Sequence, residues 1–411
     1  MPKIKPFNGI KPNPVNAGNV VLDIENLSLQ EAKIIRQDNP YSYVNMLVPK
    51  LDNVFLRGSK NELAFKKINE NFEEFLEKGV LIRDSKPSIY VYRVTRDGIT
   101  QTGIWTVTSI DDYLSNKIKK HELTRPERET VLIDYLQQTG IDANPVLITY
   151  GTVPAINEVI STVCQAQPDL SFSKTGALHQ LWKTDETSKI GTLVTEFANI
   201  SSVYLADGHH RAAAASLLAL KQRKLNPNYT SDEEFNFFTS VYMAFDQLII
   251  YPFHRLVKNL KGNSTTSFIN ELNKYFKVEH SLDIVAPDKL HHFGMYMGGI
   301  WYKLTANTFL LAGCDPVSIL DVSILQNHIF KAILNIQEPR TDPVISFAGG
   351  ILPIEDLVEM VDQGKEKVLF TLFPTSIDQL VKVADQGGLM PPKSTWFEPK
   401  FQVGLLIHKI N

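Results

Sequence analysis

The sequence predicts an α+β chain of mixed strands and helices, and three observations predict it. Strand-like and helix-like segments alternate without a regular βαβ repeat. An Asp97-Gly98 pair separates two runs rich in β-branched and aromatic residues, the pattern of a hairpin. An apolar strand passes through one glycine directly into an alanine-rich helix between Tyr204 and Ser216.

In chain order, the first 60 residues read as irregular, rich in Pro and Asn. From Glu62 to Gly79 apolar residues recur at helical spacing (Ala64, Phe65, Ile68, Phe72, Phe75, Leu76), with Gly79 as the C-terminal cap. Residues 88–95 and 101–108 form the hairpin. Thr124, three residues before Glu127, predicts a capping box, and Pro126 suits a first helical turn. That helix ends at Gly140. Residues 144–150 read as a buried strand. A helix, a strand near Leu178–Trp182 and an amphipathic helix follow to about residue 200. Residues 201–206 form an apolar strand, and Ala212–Leu220 a helix. Two strands are expected over 237–257. Beyond them come helices near 265–276, 316–334, 353–363 and 376–386, and strands near 298–304, 366–373 and 402–409. Turn-rich stretches at 83–87 and 259–265 divide the chain into an N-terminal segment (1–85), a core α/β domain (86–260) and a C-terminal α+β domain (261–411).

Composition narrows the function classes. The chain has 411 residues, 43% hydrophobic and 21% charged, so disorder and coiled coil are disfavoured. Lys plus Arg number 42 against 45 for Asp plus Glu, a net charge of −3, which disfavours a nucleic-acid binder driven by phosphate neutralisation. Two cysteines, Cys164 and Cys314, cannot build a disulfide framework or a cysteine-rich zinc site, and read as buried residues. The opening MPKIKPFNGIKPNP has no apolar signal core, and no run approaches the ~18 apolar residues of a membrane helix. A cytoplasmic globular protein without membrane contact is expected; self-association stays open.

Three segments carry chemistry. In the first, Asp207-Gly208-His209-His210-Arg211 lies between strand and helix. Helix N-termini present unsatisfied N–H groups and a partial positive charge, a geometry that receives phosphate. Gly208 permits the turn, Arg211 adds a permanent bidentate cation, and His209 and His210 can donate to phosphate oxygens or move protons. As a structural reading, Asp207 would merely cap the helix. The second is Lys119–Glu129, where His121, Glu122, Arg125 and Arg128 crowd a helix start. Glu122 or Glu129 could serve as general base or metal ligand there; the bland alternative is a solvated helix. In the third, Pro391–Lys400, two prolines hold Lys393, Ser394 and Thr395 in extended chain facing an anion, or form a rigid connector. Pro252–Arg255 is a weaker signal, and His179 and His328 read as bystanders. No P-loop, GxGxxG, HExxH or GxSxG motif occurs.

The ordered set IKPFNGIKP, NPYSYVNMLVP, YVYR, IKKHELTRPERE, HQLW, ADGHHRAAAA, LDVSIL and MPPKSTWFEPKFQVGL resembles the bacterial and archaeal family called domain of unknown function 1015. Within it, ADGHHRAAAA is similar to the phosphate-contacting box of the ParB/sulfiredoxin-like superfamily, which includes sulfiredoxin and the free serine kinases. That resemblance implies a ParB/sulfiredoxin-like nucleotide-binding core. Gly208, His209, His210 and Arg211 would contact phosphate, with Asp207 placing the turn. Many family members carry a Pro-Tyr-Asp segment near the N-terminus. Here the stretch reads NAGNVVLDIENLS, and Asp23 or Glu25 is the available acid.

The resulting expectation is a small-molecule kinase or related phosphoryl-transfer enzyme. It would take ATP, ADP or pyrophosphate with Mg²⁺ as phosphoryl donor and free serine or another hydroxyl metabolite as acceptor. Glu122 and His121 would act as acid–base groups, Arg125 as charge stabiliser, Asp207 as organiser of the turn, and Lys393, Ser394 and Thr395 as further donor contacts. Two alternatives remain: a non-catalytic nucleotide- or metabolite-binding regulator, and a metal-dependent hydrolase holding its ion with Asp207, His209, His210 and His121. All three segments are expected to line one cleft with Arg211 at its phosphate end. Arg211→Ala would then weaken phosphate binding by about 1.5–3 kcal/mol and leave the fold intact.

Overall fold

The expected hairpin forms, and a nine-stranded sheet is built around it. The computed structural model describes residues 2–25, 27–47, 59–312 and 315–411. Cys314 and the end of the NPYSYVNMLVP segment therefore lie outside the described residues. The chain forms two compact units: residues up to Leu248 with Pro399–Asn411, and Ile249–Glu398. These units are drawn differently from the expected division at 85 and 260.

Elements of the first unit are β1 (Ile4–Lys5), α1 (Leu29–Asp38), α2 (Ser59–Glu77), β2 (Ile89–Arg96), β3 (Ile99–Ser109), β4 (Ile118–Lys119) and α3 (Pro126–Thr139). They continue with β5 (Val146–Tyr150), α4 (Pro154–Val163), β6 (Leu170–Lys174), β7 (Ala177–Thr184), α5 (Thr187–Asn199), β8 (Val203–Asp207), α6 (His209–Leu225) and β9 (Phe237–Ala244). Strand order in the sheet is β4-β8-β5-β9-β3-β2-β7-β6, with β1 also on β3. The turn between β2 and β3 uses Asp97 (φ 50°) and Gly98 (φ 78°). Two consecutive left-handed residues are what a type I′ hairpin turn demands. β5 to β9 and β4 to β8 are parallel pairings, and the others are antiparallel.

One face of this sheet is covered through an aromatic cluster. Phe197 of α5 lies against Tyr150 and Tyr242, with ring centroids 5.2 and 4.7 Å away. Within the sheet the indole N–H of buried Trp105 donates to Thr239 Oγ1 at 2.7 Å. Helix α6 approaches its neighbours through small side chains: Ala212, Ala213, Ala214 and Ala215 are all buried. Alanine has the highest helix propensity and leaves little side-chain bulk between backbones, so this run both forms the helix and lets it pack closely.

Several elements differ from the sequence expectation. The polar helix α1 stands within the stretch read as irregular, begun by a capping box between Ser28 and Glu31. No residue in α1 is fully buried, and it meets the core only through half-buried Ala32 and Ile35. The box predicted at Thr124 does not form. The N-cap of α3 is Arg125, without a side-chain cap, and Thr124 stands one residue too early. Gly140 does cap α3, at φ 64°. Residues 237–257 contain three strands instead of two, because Phe245–Gln247 forms a short 3₁₀ turn and Pro252 interrupts the remainder. The strand expected over 402–409 reduces to His408–Lys409 plus single bridges at Val403 and Ile407. Gly404, at φ 82°, breaks the extended run.

The second unit contains β10 (Phe253–Val257), α7 (Thr265–Leu272), β11 (Phe276–Ser281), β12 (His292–Met297), β13 (Ile300–Ala306), β14 (Ile345–Gly349), α8 (Ile354–Asp362), β15 (Val368–Leu372) and α9 (Ile377–Asp385). Its six-stranded sheet runs β11-β13-β12-β15-β10-β14, antiparallel throughout. The helix expected over 316–334 is an α-helical turn, Asp321–Leu325, running into a π-helical stretch, Gln326–Lys331. The chain is thus α+β, with its two large sheets mixed or antiparallel and helices packed on them. Among the described residues, no helix is long and apolar enough to cross a membrane.

Candidate functional site

Two of the three motif segments meet because their strands are parallel neighbours. β4 pairs with β8 through Ile118 opposite Val203 and Lys119 opposite Tyr204. Both chains leave the sheet at the same edge, and each then starts a helix. The N-termini of α3 and α6 therefore lie side by side, at the carboxyl ends of their strands, where open α/β sheets place ligands.

The turn into α6 is shaped by two backbone irregularities. The β8 to β5 register slips between Leu205 and Asp207, a bulge at Ala206 that re-aims the end of the strand. Gly208 then takes φ 94° as the N-cap of α6. A Cβ there would be strained by that backbone and would stand 3.0 Å from the Arg211 guanidinium. Glycine serves both the turn and the close packing of Arg211 beneath it. The first i→i−4 bond in α6 is Ala212 N–H to Gly208 O at 3.0 Å, so the N–H groups of His209, His210 and Arg211 precede the helical ladder.

Around this turn the HELTRPE segment contributes three contacts. The Arg125 backbone N–H donates to His210 Nδ1 at 3.3 Å, which leaves the ring proton of neutral His210 on Nε2 as a donor. The His121 and His209 rings meet edge to face, centroids 4.6 Å apart. Glu122 Oε2 lies 3.8 Å from His209 Nδ1.

Arg211 is engaged inward. It donates to Asp207 Oδ2 at 2.9 Å and also to Asn144 Oδ1 and Pro145 O, at the start of β5. The same Asp207 oxygen lies 3.7 Å from Lys400 Nζ. Burial pushes the Asp207 carboxyl up, but Lys400, Arg211, His209 and the Gly208 N–H outweigh it and hold the group well below the usual carboxylate range. Burial holds His121 down to about 4. Burial and then His121 depress His209 strongly. Both imidazoles are neutral at pH 7. Arg211 and Lys400 face Asp207 at the turn, Asp142 lies within electrostatic reach of Arg211, and Glu122 lies beside His209.

Lys393, Ser394 and Thr395 belong to the second unit. Ser394 is buried and donates to Pro391 O at 2.6 Å, and Lys393 Nζ stands 4.9 Å from the Phe253 ring centroid. Arg255, also buried, donates to the carbonyls of Phe253 and Lys393. The metal-hydrolase alternative finds no support: among the described residues, no three His, Cys, Asp or Glu side chains are placed to hold an ion. His121 and His209 instead pack ring against ring. Asp23 follows directly on Leu22, which bridges to Val403, three residues beyond Lys400. Asp23 Oδ1 accepts from the Glu25 N–H at 3.1 Å. Sequence reading missed Lys400 and Asn144 as partners of the turn. Lys400 was legible only as the last residue of the PPKSTWFEPK segment.

The buried histidines set a pH expectation. His121 and His179 are both held at about 4 by burial, with His209 depressed as well. Their unfolded value is 6.5. Between those values the unfolded chain binds more protons, so stability falls as pH drops from 6.5 towards 4. Asp142, raised to about 6 mainly by burial, works in the opposite sense together with Asp321 and Glu366, while His254, also held at about 4 by burial, adds to the histidines. Melting temperature is expected to decline steadily from pH 7 to pH 4.5. A flat profile down to pH 5 contradicts neutral, buried imidazoles.

Fold and site together define an α+β protein whose larger sheet ends in a strand–glycine–helix turn ringed by cations and neutral imidazoles. The chain belongs to the family described as "Protein of unknown function (DUF1015)", whose model matches residues 4–323. None of the curated proteins matches its sequence. Among solved structures it is similar to a mutant free serine kinase in complex with AMP, at 14% identity and TM-score 0.37, covering 73% of this chain and 92% of that one. A conserved hypothetical protein from Pyrococcus furiosus is similar at 14% identity and TM-score 0.35, covering 73% and 95%. C-terminally truncated SbnI from Staphylococcus aureus is similar at 13% identity and TM-score 0.37, covering 73% and 87%.

Proposed function

We propose that the Asp207–Arg211 turn binds the phosphates of a nucleotide or of pyrophosphate, and that the protein transfers a phosphoryl group to a small hydroxyl metabolite. The observation that carries this reading is the parallel β4–β8 pairing, which brings the HELTRPE segment and the start of α6 together beside Asp207, Arg211 and Lys400. Phosphoryl transfer asks a protein mainly to position groups and to stabilise charge. The first-turn N–H groups of α6 hold phosphate oxygens, and His210 Nε2–H donates to them. Arg125 and Arg128 offset the negative charge of the donor. Glu122, with 41% of its side chain exposed, is the base that takes the acceptor's hydroxyl proton.

Magnesium fits this set. It needs only one or two carboxylates besides substrate phosphates, and Asp207 could hold it. Once bound, the ion would neutralise charge on the donor phosphates. A second reading, a regulator that binds nucleotide without consuming it, is favoured by one observation: NAGNVVLDIENLS stands where Pro-Tyr-Asp is common in the family.

The test is incubation with ATP, ADP or pyrophosphate, Mg²⁺ and a panel of hydroxyl metabolites, free serine first, followed by ³¹P NMR. A new phosphate monoester is expected. No turnover with any donor, together with no nucleotide-induced rise in melting temperature, overturns the proposal. Saturable binding with the donor intact after long incubation selects the regulatory reading.

A further inference from the structure

We propose that the second unit carries an oxyanion site of its own, formed by the buried guanidinium of Arg255 and the ammonium of Lys393, and that it takes a small metabolite bearing a phosphate or carboxylate group. This is independent of the reading of the α6 turn. The site joins two segments which that turn does not use, residues 252–255 and 391–395. Arg255 lies in β10, opposite Phe347 of β14 and Phe370 of β15, and is 3% exposed. Its guanidinium stands 4.6 Å from the Phe347 ring centroid. It donates to Phe253 O at 2.8 Å, to Lys393 O at 2.9 Å and to Pro392 O at 3.4 Å. Carbonyl dipoles solvate a cation but bring it no negative charge, and three bonds do not exhaust the five N–H donors of a guanidinium. An arginine is almost never so fully buried unless it is paired. Among the described residues no carboxylate pairs with Arg255. Burial alone lowers it to about 9, so the group is still charged at pH 7.

The same contacts place the second cation. The bond from Arg255 fixes the carbonyl of Lys393, whose backbone takes φ 57°, a left-handed conformation uncommon in a lysine. Flanking residues brace the loop. Ser394 Oγ donates to Pro391 O at 2.6 Å, and Thr375 Oγ1 donates to Ser394 O at 3.1 Å. Lys393 is itself exposed, and its Nζ stands 4.9 Å from the ring centroid of Phe253, the residue whose carbonyl Arg255 also holds. Among the described residues no carboxylate pairs with Lys393 either. Two positive charges thus share one braced loop uncompensated, and the burial of Arg255 strengthens the repulsion between them. An oxyanion balances both. The remaining guanidinium donors give it a direction, and the ammonium gives it a mobile point charge.

The test is ¹⁹F NMR of the full chain carrying 5-fluorotryptophan at its four tryptophans. It is titrated with inorganic phosphate and, separately, with succinate, each at constant ionic strength. Trp396 packs 5.4 Å from the Phe253 ring centroid and reports on this loop. Trp301, in the same unit, packs against Tyr296 at 5.1 Å and serves as the internal control. The Trp396 resonance is expected to shift saturably with at least one of the two anions, while Trp301 stays in place. A response to phosphate alone identifies the ligand as a phosphate ester, and a response to succinate alone as a carboxylic acid. Lys393→Met should weaken the effective anion about tenfold, the lower end for a hydrogen bond to a charged group. Its melting temperature should match wild type, because the side chain is exposed. Lys382→Met, in α9, controls for loss of a positive charge and should bind as wild type does. No saturable shift of Trp396 with either anion, or the same midpoint in Lys393→Met as in wild type, overturns the proposal. Neither result bears on the α6 turn, which lies in the other unit.

Discussion

Replacing Glu122 with glutamine should lower the phosphoryl-transfer rate by about 10²–10⁴-fold, the usual contribution of a positioned general base. Glutamine preserves the size of the side chain and its packing beside His209, 3.8 Å away, but it cannot accept the acceptor's proton. Nucleotide affinity should hold or tighten, because a carboxylate facing donor phosphates repels them. Initial rates and a binding titration on the same preparation separate the two effects. An unchanged rate would move the base elsewhere, with Asp23 next in line because its neighbour Leu22 bridges to the segment that carries Lys400.

The second large effect is expected in stability. Arg211→Ala removes three donated hydrogen bonds and leaves Asn144 Oδ1 and Pro145 O without their partner. Asp207 is less affected, being 38% exposed in its side chain and still beside Lys400. Leaving such acceptors unsatisfied, and opening the space beneath Gly208, should destabilise the first unit by about 2–4 kcal/mol. That corresponds to a fall in melting temperature of roughly 5–15 °C. Phosphate affinity would drop too, through distortion of the turn. The sequence alone led to a different expectation, loss of binding with the fold intact. A variant as stable as wild type that loses only affinity would restore Arg211 to the ligand.

The Asp97-Gly98 turn, the α6 helix and the Gly140 cap were legible because each depends on local chemistry: positive φ, helix propensity, a left-handed terminus. Glu122, His209 and His210 were legible as candidates for the same reason, since polar residues interrupt apolar periodicity. Their meeting was not, because it depends on the pairing of Ile118–Lys119 with β8. Two residues carry no strand periodicity. Arg211 shows the limit most clearly. A guanidinium after a glycine turn reads as phosphate-seeking, yet Asn144 and Pro145, 67 and 66 residues away, claim it. Lys400 was hidden for the converse reason. Its segment looked like a connector, and only the seating of Phe401, Val403 and Gly404 fixes it beside Asp207.

The most direct measurement of the central claim uses the ten histidines of the chain as reporters. In protein labelled with ¹⁵N only at histidine, the backbone amides of His209 and His210 lie in the first turn of α6, where phosphate oxygens would accept from them. Addition of ADP or pyrophosphate should shift these two resonances strongly and saturably, with His121 following to a smaller extent. His280, His291, His292 and His328, in the second unit, should stay in place. Saturable binding that leaves His209 and His210 unmoved would contradict a phosphate site at this turn.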